Sequence, residues 1–341
     1  MKRQTKPGFG IEGFSKSKFK YDEKGNIIEE KYVGTNGQLK ELDYNGYAIM
    51  RCKYDERGNT VEEKFFGSDE QLKERRDMGI AIIRRKFNNK GKKIEESYFG
   101  SDNQMKERAD YSIAIIKYKY ENNGNVEEKY FGIDESLKNR KDLGVAIIRK
   151  KFNKQGNLTE ESFFGTDDQL KSFKNSGIAI IRYKYDEQGN SIDQRYYCNV
   201  HKLKEREDTG VAITQYKYDE QGNAVEERFF NTDKKLTENK KIGAAILKFK
   251  YNKNDQVLEL RSFGKDEKLI DMTEPMGGSA IICFKYDKNG NRIEIKYLDI
   301  NGKLKEIKNV GAAILRWKYN EQGEVIKTQF LNRNEEIILK Q

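Results

Sequence analysis

The chain has 341 residues, 36% of them charged and 35% drawn from the hydrophobic set, with 66 Lys and Arg against 56 Asp and Glu for a net charge of +10. That is too few apolar residues for a conventional core of this length, yet an aromatic content of 11% is too high for a disordered chain. One histidine, His201, excludes His-dependent triads and His-rich metal sites, and three widely separated cysteines, Cys52, Cys198 and Cys283, argue against a disulfide framework.

Residues 1–12 read as an N-terminal tail. Their basic start, MKRQTK, is followed by no apolar run and so is not a secretory signal, and no stretch of the chain approaches the roughly 18 apolar residues of a membrane span. The cytoplasm is the default location. From residue 13 to 341 the chain is one array of ten units, starting at Gly13, Gly46, Gly79, Ser112, Gly144, Gly177, Gly210, Gly243, Gly278 and Gly311. The spacing is 33 residues except for 32 once and 35 once.

Each unit opens on a strand. In the sixth, Ala179, Ile181, Tyr183 and Tyr185 alternate with Ile180, Arg182 and Lys184, the period of two that marks a half-buried strand. Asp186-Glu187-Gln188-Gly189-Asn190 then breaks the pattern, with glycine supplying the positive φ of a tight hairpin. Nine of ten units keep that glycine and the eighth has Asp255. A second strand returns over Ser191 to Tyr197. The third segment is a turn followed by a short edge strand carrying Leu72, Leu137, Leu170 or Leu203 as a cap over the sheet, with a short helical turn as the alternative.

The Ala–aromatic face is expected to form the core and the Ile–Arg–Lys face to meet solvent. A two-residue turn sets Lys184 across from Asp193 and Lys53 across from Glu62, whereas a three-residue turn with a bulge shifts the pairing by one. The fourth unit lacks one residue after Asn125, which reads as slippage in the turn. A lone hairpin is marginal in water, so the units must stabilise one another by stacking. The fold class is all-β: ten tandem β-hairpin repeats forming an elongated, twisted antiparallel sheet or an open solenoid.

The string Y-K-Y-D-E-Q-G-N with a following E-E-x-Y-F resembles the bacterial YD repeats of the Rhs class. The plan of one hairpin per unit is similar to that of MORN repeats, and the G-x-A opening resembles WG repeats. These resemblances imply scaffolding, partner binding, membrane-surface contact in the MORN case or a shell around a toxin in the Rhs case.

The residues themselves argue against catalysis. The pairs Glu62-Glu63, Glu95-Glu96, Glu127-Glu128, Glu160-Glu161 and Glu226-Glu227 invite a glycosidase reading, but neighbours on a strand point to opposite faces and cannot share a site. Their plain reading is a solvated glutamate facing lysine. Cys198 and His201 are two ligands where zinc wants three or four. The recurring aspartates, Asp69, Asp102, Asp134, Asp167, Asp233 and Asp266, read as turn caps. No metal and no cofactor are expected.

What remains is electrostatic. A lysine recurs in all ten units, including Lys53, Lys86 and Lys184, and another base stands two positions before it in eight: Lys18, Arg51, Arg84, Lys117, Arg149, Arg182, Lys248 and Arg316. Gln215 and Cys283 interrupt that stripe. The reading is a non-enzymatic scaffold that binds another macromolecule through this stripe, a protein first, with nucleic acid or a membrane surface as alternatives and contact between end units as a route to oligomers.

Overall fold

A computed structural model describes residues 14–273, 278–308 and 311–340. The tail over 1–12 and the opening Gly13 lie outside them. Among the described residues there are 21 β-strands and no helix, hence no helix long and apolar enough to cross a membrane. The chain divides into two compact units: the described residues up to Lys151 with Ser162–Lys174, and Phe152–Glu161 with Asn175 onward.

In the first unit the hairpins are β1 (Phe14–Tyr21) with β2 (Ile27–Gly34), β3 (Ile49–Tyr54) with β4 (Thr60–Phe66), β5 (Ile82–Phe87) with β6 (Lys93–Phe99), and β7 (Ile115–Tyr120) with β8 (Val126–Phe131). The division between units falls within β9 (Ile147–Phe152) and β10 (Leu158–Phe164). In the second unit they are β11 (Ile180–Tyr185) with β12 (Ser191–Tyr197), β13 (Ile213–Tyr218) with β14 (Ala224–Phe230), and β15 (Ile246–Tyr251) with β16 (Val257–Phe263). Then come β17 (Ile281–Tyr286) with β18 (Arg292–Leu298), β19 (Ile314–Tyr319) with β20 (Val325–Leu331), and β21 (Ile337–Lys340) on β20. Within each unit a hairpin also pairs antiparallel with the next, as β4 does with β5 and β14 with β15, so each unit is a meander.

The D-E-x-G-N stretch closes the hairpin with three loop residues. The Asp186 amide donates to the Asn190 carbonyl at 3.0 Å, Gly189 donates to the Asp186 carbonyl at 3.2 Å, and Gly189 has φ +88°. The Asp186 carboxylate accepts both the backbone amide (2.8 Å) and the side-chain amide (2.9 Å) of Asn190. The Asn190 hydrogen bond holds that carboxyl below the usual range. Asp and Asn are therefore one clamp, repeated at Asp22–Asn26, Asp55–Asn59, Asp219–Asn223 and Asp287–Asn291. Asp255, in the glycine position of the eighth repeat, adopts φ 57°.

The register is Lys184 opposite Asp193 and Lys53 opposite Glu62, although the loop has three residues. A bulge reconciles the two: Tyr185 faces Ser191, Lys184 faces Asp193, and Ile192 is the extra residue between them. The fourth repeat corrects the expectation of slippage in the turn. Its turn is intact, with Glu121 donating to the Asn125 carbonyl at 2.9 Å, and the pairing of Lys119 with Glu127 is kept. The missing residue is the bulge itself, for the ladder there runs without a shift.

Two expectations about burial are corrected. The Ile–Arg–Lys face is not wholly solvated: Ile49, Ile82 and Ile246 are fully buried at its start. The third segment folds over that end, where Leu39 and Leu72 pack on Ile49 and Phe66. Conversely, the aromatics nearest the turn, Tyr183 and Tyr185, are only half-buried, whereas Phe65, Tyr98, Tyr130 and Phe229 near the other end of the hairpins are fully buried. The third segment is itself a turn and not a helix, and its leucine makes a single bridge, Phe66 to Leu72 or Tyr197 to Leu203, in place of an edge strand. Among the described residues only the tenth repeat extends it into a strand, β21.

The opening residue of a repeat closes the turn that leaves this segment, as at Gly46, Gly79, Ser112 and Gly210. Gly243 donates to the Asn239 carbonyl at 2.7 Å with φ +74°, and a Cβ there would meet the Thr273 backbone nitrogen at 2.8 Å. The closing tyrosines tie neighbouring repeats together. Tyr54 donates its hydroxyl to the Ile27 carbonyl, Tyr120 to Lys93, Tyr218 to Ser191 and Tyr251 to Ala224, at 2.8–2.9 Å. Each acceptor is the residue beside the bulge of the preceding hairpin, such as Ser191 opposite Tyr185, which lies outside the Asp193–Arg195 stretch that pairs with the next hairpin, so the tyrosine satisfies a carbonyl that the ladder between hairpins does not reach.

Candidate interaction surface

The stripe residues Arg51, Arg84, Lys117, Arg149, Arg182, Lys248 and Arg316 share the face of the lysine row, and each meets the acid of the preceding hairpin. Arg51 donates to Glu29 at 2.7 Å, Arg84 to Glu62 at 3.0 Å, Arg149 to Glu127, Arg182 to Glu160 and Arg316 to Glu294 at 2.7 Å. Lys248 stands 3.6 Å from Glu226, and Lys117 is paired with Glu95 across the strands. The lysine row meets the same acids from the other side: Lys53 to Glu62 at 3.2 Å and Lys86 to Glu95 at 2.8 Å, with Lys184 opposite Asp193.

The acids are not solvated, which corrects the plain reading of the glutamate pairs. The Glu62 and Glu226 side chains are only 12% and 10% exposed. Burial alone would push the Glu226 carboxyl up, but the hydrogen bonds from Arg228 and Lys217 outweigh it and the group lies at about 2. The second glutamate of a pair does turn to the opposite face, where Arg85 holds both Glu63 and Glu96.

The guanidiniums are also stacked. Arg51 lies over Phe66 at 4.4 Å, Arg84 over Phe99 and Arg149 over Phe164 at 4.3 Å, and Arg182 over Tyr197 at 4.7 Å, contacts worth about 0.5–2 kcal/mol each. A further partner was not legible in the sequence. The second turn of each repeat places one residue in the left-handed region, glycine at Gly37 and Gly302, His201 and Lys234 in the sixth and seventh repeats, and an acid or amide elsewhere, among them Glu70 (φ 61°), Asn103, Asp168 and Glu335. Four of the acid or amide side chains return to the stripe: Glu70 to Arg51 at 3.2 Å, Asn103 to Arg84 at 2.6 Å, Asp168 to Arg149 at 2.7 Å and Glu335 to Arg316 at 3.2 Å. The aspartates before them cap the turn, Asp69 accepting from the Gln71 amide and Asp167 from Gln169.

A second set of arginines covers the other face. Arg75–Asp77, Arg108–Asp110, Arg140–Asp142 and Arg206–Asp208 are paired two residues apart at 2.6–2.8 Å. These guanidiniums lie over Phe65, Tyr98, Tyr130 and Tyr196 at 4.8–5.3 Å. The recurring R-x-D was the available signal. Cys198 and His201 fall in one second turn, where the His201 amide donates to the Cys198 carbonyl at 3.1 Å.

No protein-family model matches the chain, and no curated protein matches it. Among solved structures it is similar to that of TcdB2-TccC3-TEV, at 11% identity and TM-score 0.33, covering 94% of this chain and 19% of that one. It is also similar to TcdB2-TccC3 without its hypervariable C-terminal region, at 12% identity and TM-score 0.31, covering 92% and 17%. A mosquitocidal holotoxin matches at 10% identity and TM-score 0.10, covering 96% and 48%. The chain thus spans about a fifth of the length of the first two.

Proposed function

We propose that the chain is a non-catalytic repeat scaffold whose ladder-bearing face meets another macromolecule, a protein. The observation that carries this is the internal neutralisation of the stripe: Arg51, Arg149 and Arg316 each sit between two carboxylates. A phosphate backbone gains affinity by neutralising free cations and releasing counterions. Here it would first have to displace carboxylates already within hydrogen-bond distance. A protein partner can meet alternating charge, shape and exposed hydrogen-bonding groups without doing so. The likeness of the D-E-x-G-N hairpin to YD repeats supports the same scaffold reading.

The competing reading, a polyanion track, draws on the lysine row, whose Lys53 and Lys86 side chains are 71% and 69% exposed. Anisotropy of labelled single- and double-stranded oligonucleotides across a salt titration separates the two. The scaffold reading expects weak binding with a shallow salt slope. A slope implying several phosphates, at about −0.9 per phosphate for duplex DNA, and lost in Arg84→Glu/Arg149→Glu/Arg182→Glu, would establish the polyanion track instead.

A further inference from the structure

We infer that the second-turn edge of the sixth and seventh repeats is the docking surface for an extended acidic segment of a partner protein. The inference rests on the scaffold reading and gives that partner its chemistry. In the second to fifth repeats these turns carry only acidic charge: Ser68-Asp69-Glu70-Gln71, Ser101-Asp102-Asn103-Gln104, Ile133-Asp134-Glu135-Ser136 and Thr166-Asp167-Asp168-Gln169. The corresponding stretches of the sixth and seventh are Asn199-Val200-His201-Lys202 and Thr232-Asp233-Lys234-Lys235. The backbone has not changed, for His201 and Lys234 hold φ 58° and 61° in the left-handed region as Glu70 does at 61°.

That position is the one from which other repeats return an acceptor to an arginine of the ladder face. Asp168 reaches Arg149 nineteen residues earlier, and Glu267 reaches Arg228 thirty-nine residues earlier at 3.2 Å. The same offsets direct His201 toward Arg182 and Lys234 toward Arg195. A base thus stands where the second, fourth, fifth, eighth and tenth repeats supply a carboxylate. Arg182 keeps its bond to Glu160 and Arg195 its bond to Asp193, both at 2.7 Å, but among the described residues neither receives a second acid. His201, Lys202, Lys234 and Lys235 are all exposed, and Val200 beside His201 and Lys202 is 63% exposed, an apolar contact on the same edge.

An extended peptide with carboxylates spaced to meet these bases supplies the missing acceptors and covers Val200. A continuous polyanion suits the edge less well, because Asp233 lies next to Lys234 and would face phosphate, whereas a peptide can place an uncharged residue there.

The test uses the full chain and a fluorescein-labelled peptide of alternating Glu and Val residues, followed by anisotropy at low and physiological salt, with a duplex DNA of matched charge as comparator. His201→Glu/Lys234→Glu restores the residue that other repeats carry at this position, so it leaves folding intact, which a thermal melt checks. The expected result is peptide binding by the wild type that weakens about tenfold or more in the variant and with added salt. Undiminished binding in the variant, or no binding by the wild type, overturns this docking surface and leaves the scaffold reading to its own test. DNA binding tighter than the peptide's, and lost in the same variant, would overturn the choice of a protein partner for this edge.

Discussion

The second turns of the second to fifth repeats and those of the sixth and seventh share one backbone and differ in charge. In the first group Glu70 and Asp168 clamp Arg51 and Arg149 from above while Glu29 and Glu127 hold them from the side. In the second, His201 and Lys234 occupy the same left-handed position without a carboxylate. The lesson is that the repeat has a fixed electrostatic frame, made of strand acids and stripe bases, and an adjustable edge at the turn tip. Because the tip contributes little to packing, its charge can change without disturbing the frame.

If the difference is confined to the edge, core changes must cost the same in both groups. Ile82→Ala and Ile180→Ala, at fully buried positions, should each destabilise by about 2–5 kcal/mol in urea unfolding. A much smaller loss at either position would mean that the groups differ in the core as well. The strand acids come next. Glu62→Gln and Glu226→Gln, whose side chains are 12% and 10% exposed, should each cost about 1–3 kcal/mol because charge-assisted hydrogen bonds are lost.

Acid titration examines the same ladder. The Glu226 carboxyl lies at about 2 when folded against an ordinary value of 4.5. A depressed folded value means that its contribution is fully present above the ordinary value and disappears as pH falls toward 2. Stability should therefore decline through that window, and less steeply in Glu226→Gln. A slope unchanged by the substitution would remove Glu226 from the account.

Smaller effects should follow at the inter-repeat tyrosines. Tyr218→Phe removes the 2.9 Å bond to the Ser191 carbonyl and should cost about 1 kcal/mol, with Phe87→Tyr gaining a comparable amount if its hydroxyl reaches Thr60. The turn tips separate the two groups most finely. Lys234→Gly should stabilise by about 1 kcal/mol, since glycine adopts positive φ without the steric cost borne by lysine. Glu70→Gly should come out near zero, because the same relief is offset by the bonds to Arg51 and Lys31. Equal gains at both positions would show that the Glu70 clamp contributes nothing to stability.

Much of this was legible in the sequence. The period of two located the strands, the recurring glycine and aspartate located the turns, and opposite charge on Lys53 and Glu62 indicated their pairing, which the ladder has. The stripe residues were legible as a set because they recur at one position. Their partners were not. Glu29 and Arg51 lie twenty-two residues apart on strands of successive hairpins, and which edge of a hairpin meets the next is not encoded in either strand. Glu70 read as an ordinary turn residue, since nothing about glutamate announces a left-handed backbone.

By itself, then, the sequence determined the elements: a hairpin per repeat, its turn chemistry and its charge pattern, because each depends on residues close together in the chain. Only the tertiary structure decided what those elements do to one another. It buried both faces of the strand at its Ile49 end under a folded-back leucine, put the missing residue of the fourth repeat in the bulge and not in the turn, and converted a row of bases into a neutralised ladder. These outcomes depend on contacts between repeats, where the geometry of the stack fixes which groups meet.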